Sequence, residues 1–265
     1  MPGPAETSGA IEKVCAVLRA LSRQSPQRLT GIAAEASLNK ATALRILTTL
    51  IEEGFVHRPE GSKLYELGVE ARLMSSNAGR SLDIARLAQP ALLRLADKSG
   101  DTALLSVRRE IEALYVGRAV GTHPLQPSYL RIGSRRLLGV GAGSLALLTW
   151  LPDAEVKTIV NIVVARQPRN SAITKSLLLE RIDAAREAGY TFLLDAAYEG
   201  MGGVGVPVRD ESGDVIAALS IGAASERISS REKPLSEFLV VEARSLSKAI
   251  ETTRSRLKSV GVEDV

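Results

Sequence analysis

Residues 37 to 50 read SLNKATALRILTTL, and this stretch restricts the fold more than any other in the chain. Ala43, Ile46, Leu47 and Leu50 recur at steps of three and four, so a helix here buries one face, while Lys40, Thr42, Arg45 and Thr49 fall on its other faces. Asn39 is a strong N-cap type just ahead of it, and Gly54 supplies the left-handed residue at which such helices end. A helix with a single apolar stripe needs something to bury it against. Upstream, Ser8 opens a helix that carries Ile11, Val14, Cys15, Leu18 and Leu21 on one stripe, until the polar SRQSPQ ends it. LTGIAAEA then forms a short second helix, capped by Thr30, with Ile32, Ala33 and Ala36 turned inward, and Ser37 and Leu38 make the turn into the third. Downstream, FVHRPEGSKLYEL sets Phe55 and Val56, then Leu64, Tyr65 and Leu67, on either side of the turn-forming residues 59–62, which is a hairpin pattern.

Helix, short helix, turn, helix and hairpin in this order make a winged helix-turn-helix over residues 8–67. The polar side of the third helix is the side free to enter a major groove, where double-stranded DNA exposes its base edges. Lys40 at the helix start suits phosphate, and Arg45 suits guanine O6 and N7, which a forked guanidinium contacts bidentately. Thr42 serves base or phosphate, and the methyl groups of Leu44 suit a thymine methyl. Arg58 and Lys63 flank the hairpin tip and would track the neighbouring backbone; Thr30, Asn39 and Thr49 complete the candidate DNA-binding set. One such module reads only a short site, so a homo-oligomer on a two-fold operator is expected. The apolar stripe between Leu67 and Met74 serves either as its seam or as packing within one chain.

Charge and composition exclude several other classes. Lys and Arg number 34 against 30 Asp and Glu, a net +4, so the argument for nucleic acid rests on where the charges lie and not on their total. Cys15 is the single cysteine and His57 and His123 the only histidines, so no disulfide and no Cys/His zinc site is expected, and no cofactor. The opening MPGPAETSGA lacks a basic segment followed by an apolar one, and no uncharged apolar run of about eighteen residues occurs, so a cytoplasmic chain with no membrane partner is expected.

Beyond residue 77 the pattern changes. SLDIARLAQPALLRLADKSG is a long apolar-periodic helix with Pro90 inside it, where a kink or break is expected. ALLSVRR and ALYVGRAV are β-rich runs joined near Glu110, and further strands are expected around Tyr190 and over 203–209 and 215–223. The last two flank a turn at Gly213 and Asp214 and should pair as an antiparallel hairpin. TKSLLLERIDAAREAG and PLSEFLVVEARSLSKAIETTRSRL are amphipathic helices. The whole reads as α+β: a winged helix-turn-helix followed by an antiparallel sheet flanked by helices.

The segment LTGIAAEASLNKATALRILTTLIEEGFVHR resembles the DNA-binding domain of the IclR family of bacterial transcriptional regulators. RIGSRR leading into a small-residue helix start, and then EAGYTFLLDAAYEGMGGVGVPVRDESGDVIAALSIGAASERIS, resemble that family's effector-binding domain in order and spacing. The resemblance implies a transcriptional regulator, more often a repressor, with a GAF-like C-terminal domain that senses a small molecule. It divides the chain into a DNA-binding domain over 8–67, a linker helix over 68–79, an effector-binding domain over 80–255 and a tail over 256–265.

GVGAGSLALL places Gly141, Ala142, Gly143 and Ser144 ahead of an apolar helix, where unbonded N–H groups face either a ligand or the sheet on which the helix packs. Carried over position by position, the family's pocket implicates these four together with Leu193, Gly203 and Ser220. Family members commonly hold Asp near 193 and Cys near 203, where this chain has Leu193 and Gly203. With those polar partners gone, an unpaired buried anion costs several kcal/mol, so the pocket should reject small anions, and a larger, more apolar or aromatic effector, or none, is expected. The rival class is an enzyme using GVGAGS as a dinucleotide loop. Ser144 stands where a third glycine is wanted, three arginines precede the loop, and no nucleophile elbow or triad surrounds it.

Overall fold

The computed structural model describes residues 9–78, 84–168 and 171–259, in two units, Met1–Ser81 and Leu82–Val265. The first unit runs α1 (Ala10–Arg23), β1 (Gln27–Arg28), α2 (Leu29–Glu35), α3 (Lys40–Glu52), β2 (Val56–His57), β3 (Leu64–Leu67) and α4 (Val69–Ala78). Its core joins Val17 and Leu21 of α1, Ile32 of α2, Ile46, Leu47 and Leu50 of α3, and Val56 and Tyr65 of the hairpin. Two stripe members expected in α1 lie outside that core: Cys15 is exposed and Ile11 is 80 % exposed. The buried arc centres on Val17 and Leu21, and the helix's rotation per residue carries positions 11 and 15 past its edge. The N-cap of α1 is Gly9, whose N–H donates to Glu12 Oε2 at 2.8 Å; Ser8, expected there, lies outside the described residues.

Thr30 is not the cap of α2. Gln27 and Arg28 pair antiparallel with Tyr65 and Leu64, which holds the chain extended through Arg28 and starts the helix at Leu29. A two-residue strand leaves no periodicity in the sequence, so β1 and its effect on the next helix were both invisible there. Asn39 does cap α3, its Oδ1 accepting the Thr42 N–H at 2.8 Å, and Gly54 takes a φ of +74° just past the helix end.

The second unit begins with α5 (Ile84–Ser99), which passes through Pro90 as one uninterrupted helix; residues 81–83 of the expected helix lie outside the described residues. Pro90 is on the exposed side, where water reaches the backbone around the missing N–H. There follow β4 (Thr102–Arg109), β5 (Glu112–Ala119), β6 (Arg135–Leu137), α6 (Ala142–Thr149), α7 (Asp153–Ala165), α8 (Lys175–Ala188), β7 (Thr191–Leu194), β8 (Met201–Arg209), β9 (Val215–Ala224), α9 (Ser225–Ser229) and α10 (Glu232–Ser259). Residues 260–265, the end of the expected tail, lie outside the described residues.

The sheet has the order β6-β5-β4-β9-β8-β7 and every neighbouring pair is antiparallel. One face carries α5 and α10 over Leu92, Leu95, Leu105, Leu219, Ile221 and Leu239. The other carries α6 to α8 over a second core that includes Leu138, Leu145, Leu148, Ile159 and Ile182. All eight residues of α6 are buried, as an apolar circumference requires. The sequence reading passed over α7, although Val156, Ile159, Val160 and Val163 are buried at helical spacing. Asp101, fully buried at the start of β4, ties this end of the sheet to the last helices through Arg227 Nε at 3.0 Å and through Arg231. No helix among the described residues is long and apolar enough to cross a membrane.

Candidate functional site

Two surfaces concentrate the candidate residues, one in each unit. In the first, burying Ala43, Ile46, Leu47 and Leu50 turns Lys40, Arg45 and Thr49 to solvent, with Leu44 44 % exposed. Thr42 is half-buried and its N–H is taken by Asn39. The Thr49 hydroxyl donates to the Arg45 carbonyl at 3.3 Å, so its hydrogen is turned onto the helix while the residue stays exposed. On the hairpin, Arg58 is exposed but anchored: its Nε donates to the Ser62 carbonyl at 2.7 Å and its guanidinium lies 5.2 Å from the centre of the Tyr65 ring. Lys63 and Thr30 are exposed. These positions are basic or hydroxyl-bearing, apart from Asn39 and Leu44, and side chains of those kinds contact phosphates and base edges.

In the second unit, a cavity of about 50 Å³ opens between the start of α6 and the sheet. It is lined by Gly141, Ala142, Gly143, Leu193, Gly203 and Ser220 of the expected set, and by Leu104, Tyr115, Tyr129, Leu130, Arg136, Met201 and Ile221 among others. Ser144 does not line it. That side chain is fully buried and its hydroxyl donates back to the Gly141 carbonyl at 3.0 Å.

The small residues have two roles at once. A β-carbon on Gly143 would stand 2.7 Å from Ser220 Oγ, and one on Gly203 would stand 3.1 Å from the Ala142 β-carbon. Glycine therefore lets α6 approach the strands closely, and that approach brings its first turn to the cavity wall. Thr191 Oγ1 holds the same turn by donating to the Ala142 carbonyl at 2.8 Å. Under Gly143 the Ser106 hydroxyl is buried with no hydrogen-bond partner. The surrounding sheet is antiparallel throughout, so GVGAGS does not sit in the parallel strand-helix-strand unit that a dinucleotide loop needs.

The expected pocket lost its polar partners at Leu193 and Gly203, but three residues outside the expected set bring polar groups to the wall. Tyr115 on β5 is 3 % exposed; burial pushes its hydroxyl up to about 12, against the pull of the Arg136 charge. It stays a neutral hydrogen-bond donor. Tyr129 is also raised, first by burial, and its ring centre stands 4.3 Å from that of Tyr198 at a tilt of 38°. Arg136 lies over both rings, 5.0 Å from the centre of Tyr129 and 5.1 Å from that of Tyr198. The signal was the arginine pair in RIGSRR. On β6 successive side chains point to opposite faces, so Arg135 reaches Glu112 at 3.3 Å while Arg136 borders the cavity.

Known proteins share both units. Residues 77–250 match the family described as "Bacterial transcriptional regulator IclR C-terminal", and residues 10–60 match "IclR helix-turn-helix domain". The HTH-type transcriptional regulator KdgR of Escherichia coli (strain K12) is 29 % identical over 237 residues, covering 89 % of this chain and 89 % of its own. The HTH-type transcriptional repressor AllR of Salmonella typhi is 27 % identical over 234 residues, covering 86 % of each. A solved IclR homolog of Microbacterium hydrocarbonoxydans, complexed with 4-hydroxybenzoate, shares the fold with a TM-score of 0.72 at 22 % identity, over 91 % of this chain and 99 % of that one.

Proposed function

The chain belongs to the IclR family of bacterial transcriptional regulators, and on that premise we propose how its residues divide the work. Residues 8–67 bind DNA, 68–79 link, and 80–255 hold the effector. Helix α3 enters the major groove with Lys40 on phosphate and Arg45 on a guanine edge. Thr42 and Leu44 read neighbouring bases, Thr30, Asn39 and Thr49 contact the duplex alongside, and Arg58 and Lys63 of the hairpin follow the backbone. The observation that carries this reading is the split of α3 into a buried apolar stripe and an exposed face bearing Lys40 and Arg45 behind the Asn39 cap.

The protein acts in the cytoplasm, through DNA and not by catalysis, as a homo-oligomer on a two-fold operator. The exposed Val69, Leu73 and Met74 on α4 support a seam between copies. Repression is the favoured sign, in keeping with the relative named a repressor. The effector occupies the α6 cavity, lined by Gly141, Ala142, Gly143, Leu193, Gly203 and Ser220, and it has an apolar or aromatic body, as the ligand of the Microbacterium homolog does. Control then follows from a difference in effector affinity between two arrangements of the oligomer. Footprinting the purified protein on the DNA flanking its own gene tests this: a protected two-fold site that weakens steeply with salt is expected. Weak binding without sequence preference would count against it.

A further inference from the structure

Arg136 is a cation at a cavity wall whose charge no carboxylate among the described residues answers. Several arginines of the same unit are paired: Arg94 with Glu242 at 2.7 Å, Arg108 with Glu155, Arg227 and Arg231 with Asp101, and the adjacent Arg135 with Glu112. We propose that Arg136, held over Tyr129 and Tyr198, is the carboxylate-recognising group of the cavity, and that the effector is a compact monocarboxylic acid with an apolar body. This rests on the α6 cavity being the effector site.

The geometry supports each part. A guanidinium lying over two aromatic rings is held in place and keeps its N–H groups for an acceptor, and a carboxylate matches that fork with two parallel hydrogen bonds. The Tyr115 hydroxyl, neutral and with no side-chain hydrogen bond among the described residues, supplies a further donor on the same wall. The electrostatic setting favours an anion beyond Arg136 itself. Arg118, opposite Leu104 in the sheet, has its Nε buried without a partner and its guanidinium lowered by burial and by the charge of Arg131. The rest of the wall, Leu104, Leu193 and Ile221, offers only apolar surface to the ligand body, which disfavours a second charge. Leu193 and Gly203 thus do not leave a carboxylate unpaired, because its partner comes from β6.

The test uses the full chain with isobutyrate and benzoate, each against its primary amide, by titration calorimetry and saturation-transfer NMR. The acids should bind more tightly than the amides by about tenfold or more. Arg136→Gln should remove the preference, so that acid and amide bind alike in that variant, and Arg136→Lys should keep part of the preference. Met201→Trp, which fills the cavity, should abolish binding of both. If amides bind as well as acids, or Arg136→Gln retains the acid preference, the carboxylate assignment is overturned and the cavity reading stands. If nothing binds, or Met201→Trp leaves binding intact, the cavity is not the effector site and both fall.

Discussion

Replacing Gly205 by alanine tests whether the α6 cavity depends on a close backbone approach. The added methyl carbon would stand 2.7 Å from the carbonyl oxygen of Ala142, 2.9 Å from its carbonyl carbon and 2.8 Å from Thr191 Oγ1. Ordinary contact needs about 3.5 Å, so a retreat of roughly 0.8 Å is required. No flexible side-chain end can supply it, because two of the three obstacles are backbone and the third is the hydroxyl that anchors that backbone. Overpacking of this kind costs about 1–3 kcal/mol. For a unit spanning residues 82–265, that lowers the melting temperature by roughly 2–12 °C. Scanning calorimetry of the full chain reads the shift, and benzoate affinity should fall with it because Ala142 lines the cavity. Gly213→Ala is the control: it sits at a φ of +88° in open space and should lose only about 1 kcal/mol, from backbone strain. Were Gly205→Ala to melt with the wild type, or Gly213→Ala to lose as much, the close approach would not be what holds α6.

Arg45→Ala should relax sequence preference at the operator and cost about 1–3 kcal/mol, whereas Lys40→Ala should weaken all duplexes alike and reduce the salt slope by about one; competition binding at several salt concentrations separates the two. Asn39→Ala removes the acceptor of the 2.8 Å capping bond and should destabilise α3 by about 1 kcal/mol in urea titrations, while Asn39→Ser should stay near wild type. Tyr115 ionises near 10 when unfolded and is held to about 12 when folded, so the folded state keeps a proton that the unfolded state has released. Stability should therefore be fully present below pH 10 and decline as pH climbs toward 12, with Tyr115→Phe flattening that part of the urea-denaturation profile.

How much was legible follows from where each signal resides. Helix α3 was legible because its stripe, its cap and its terminal glycine are all local, within residues 39–54. The β8–β9 hairpin was legible for the same reason, through the turn at Gly213. Helix α1 was found with its buried face misjudged: apolar residues at 11 and 15 extend the stripe, but only the positions of α2 and α3 decide which arc of it meets the core. The start of α2 depended on β1 pairing with residues nearly forty positions further on, and nothing near Thr30 records that pairing.

At the cavity the division is sharper. Residue types alone determined that a run of small residues heads an apolar helix and that positions 193 and 203 carry no polar side chain, since side-chain size and chemistry belong to the chain whatever its fold. Which of those residues face open space was settled only when the sheet brought β5, β6, β8 and β9 together around α6. That assembly turned Ser144 onto its own helix and set Arg136 over two tyrosines that lie 7 positions before it and 62 after it in the chain. Direction and distance between remote side chains are properties of packing, and no local pattern encodes them.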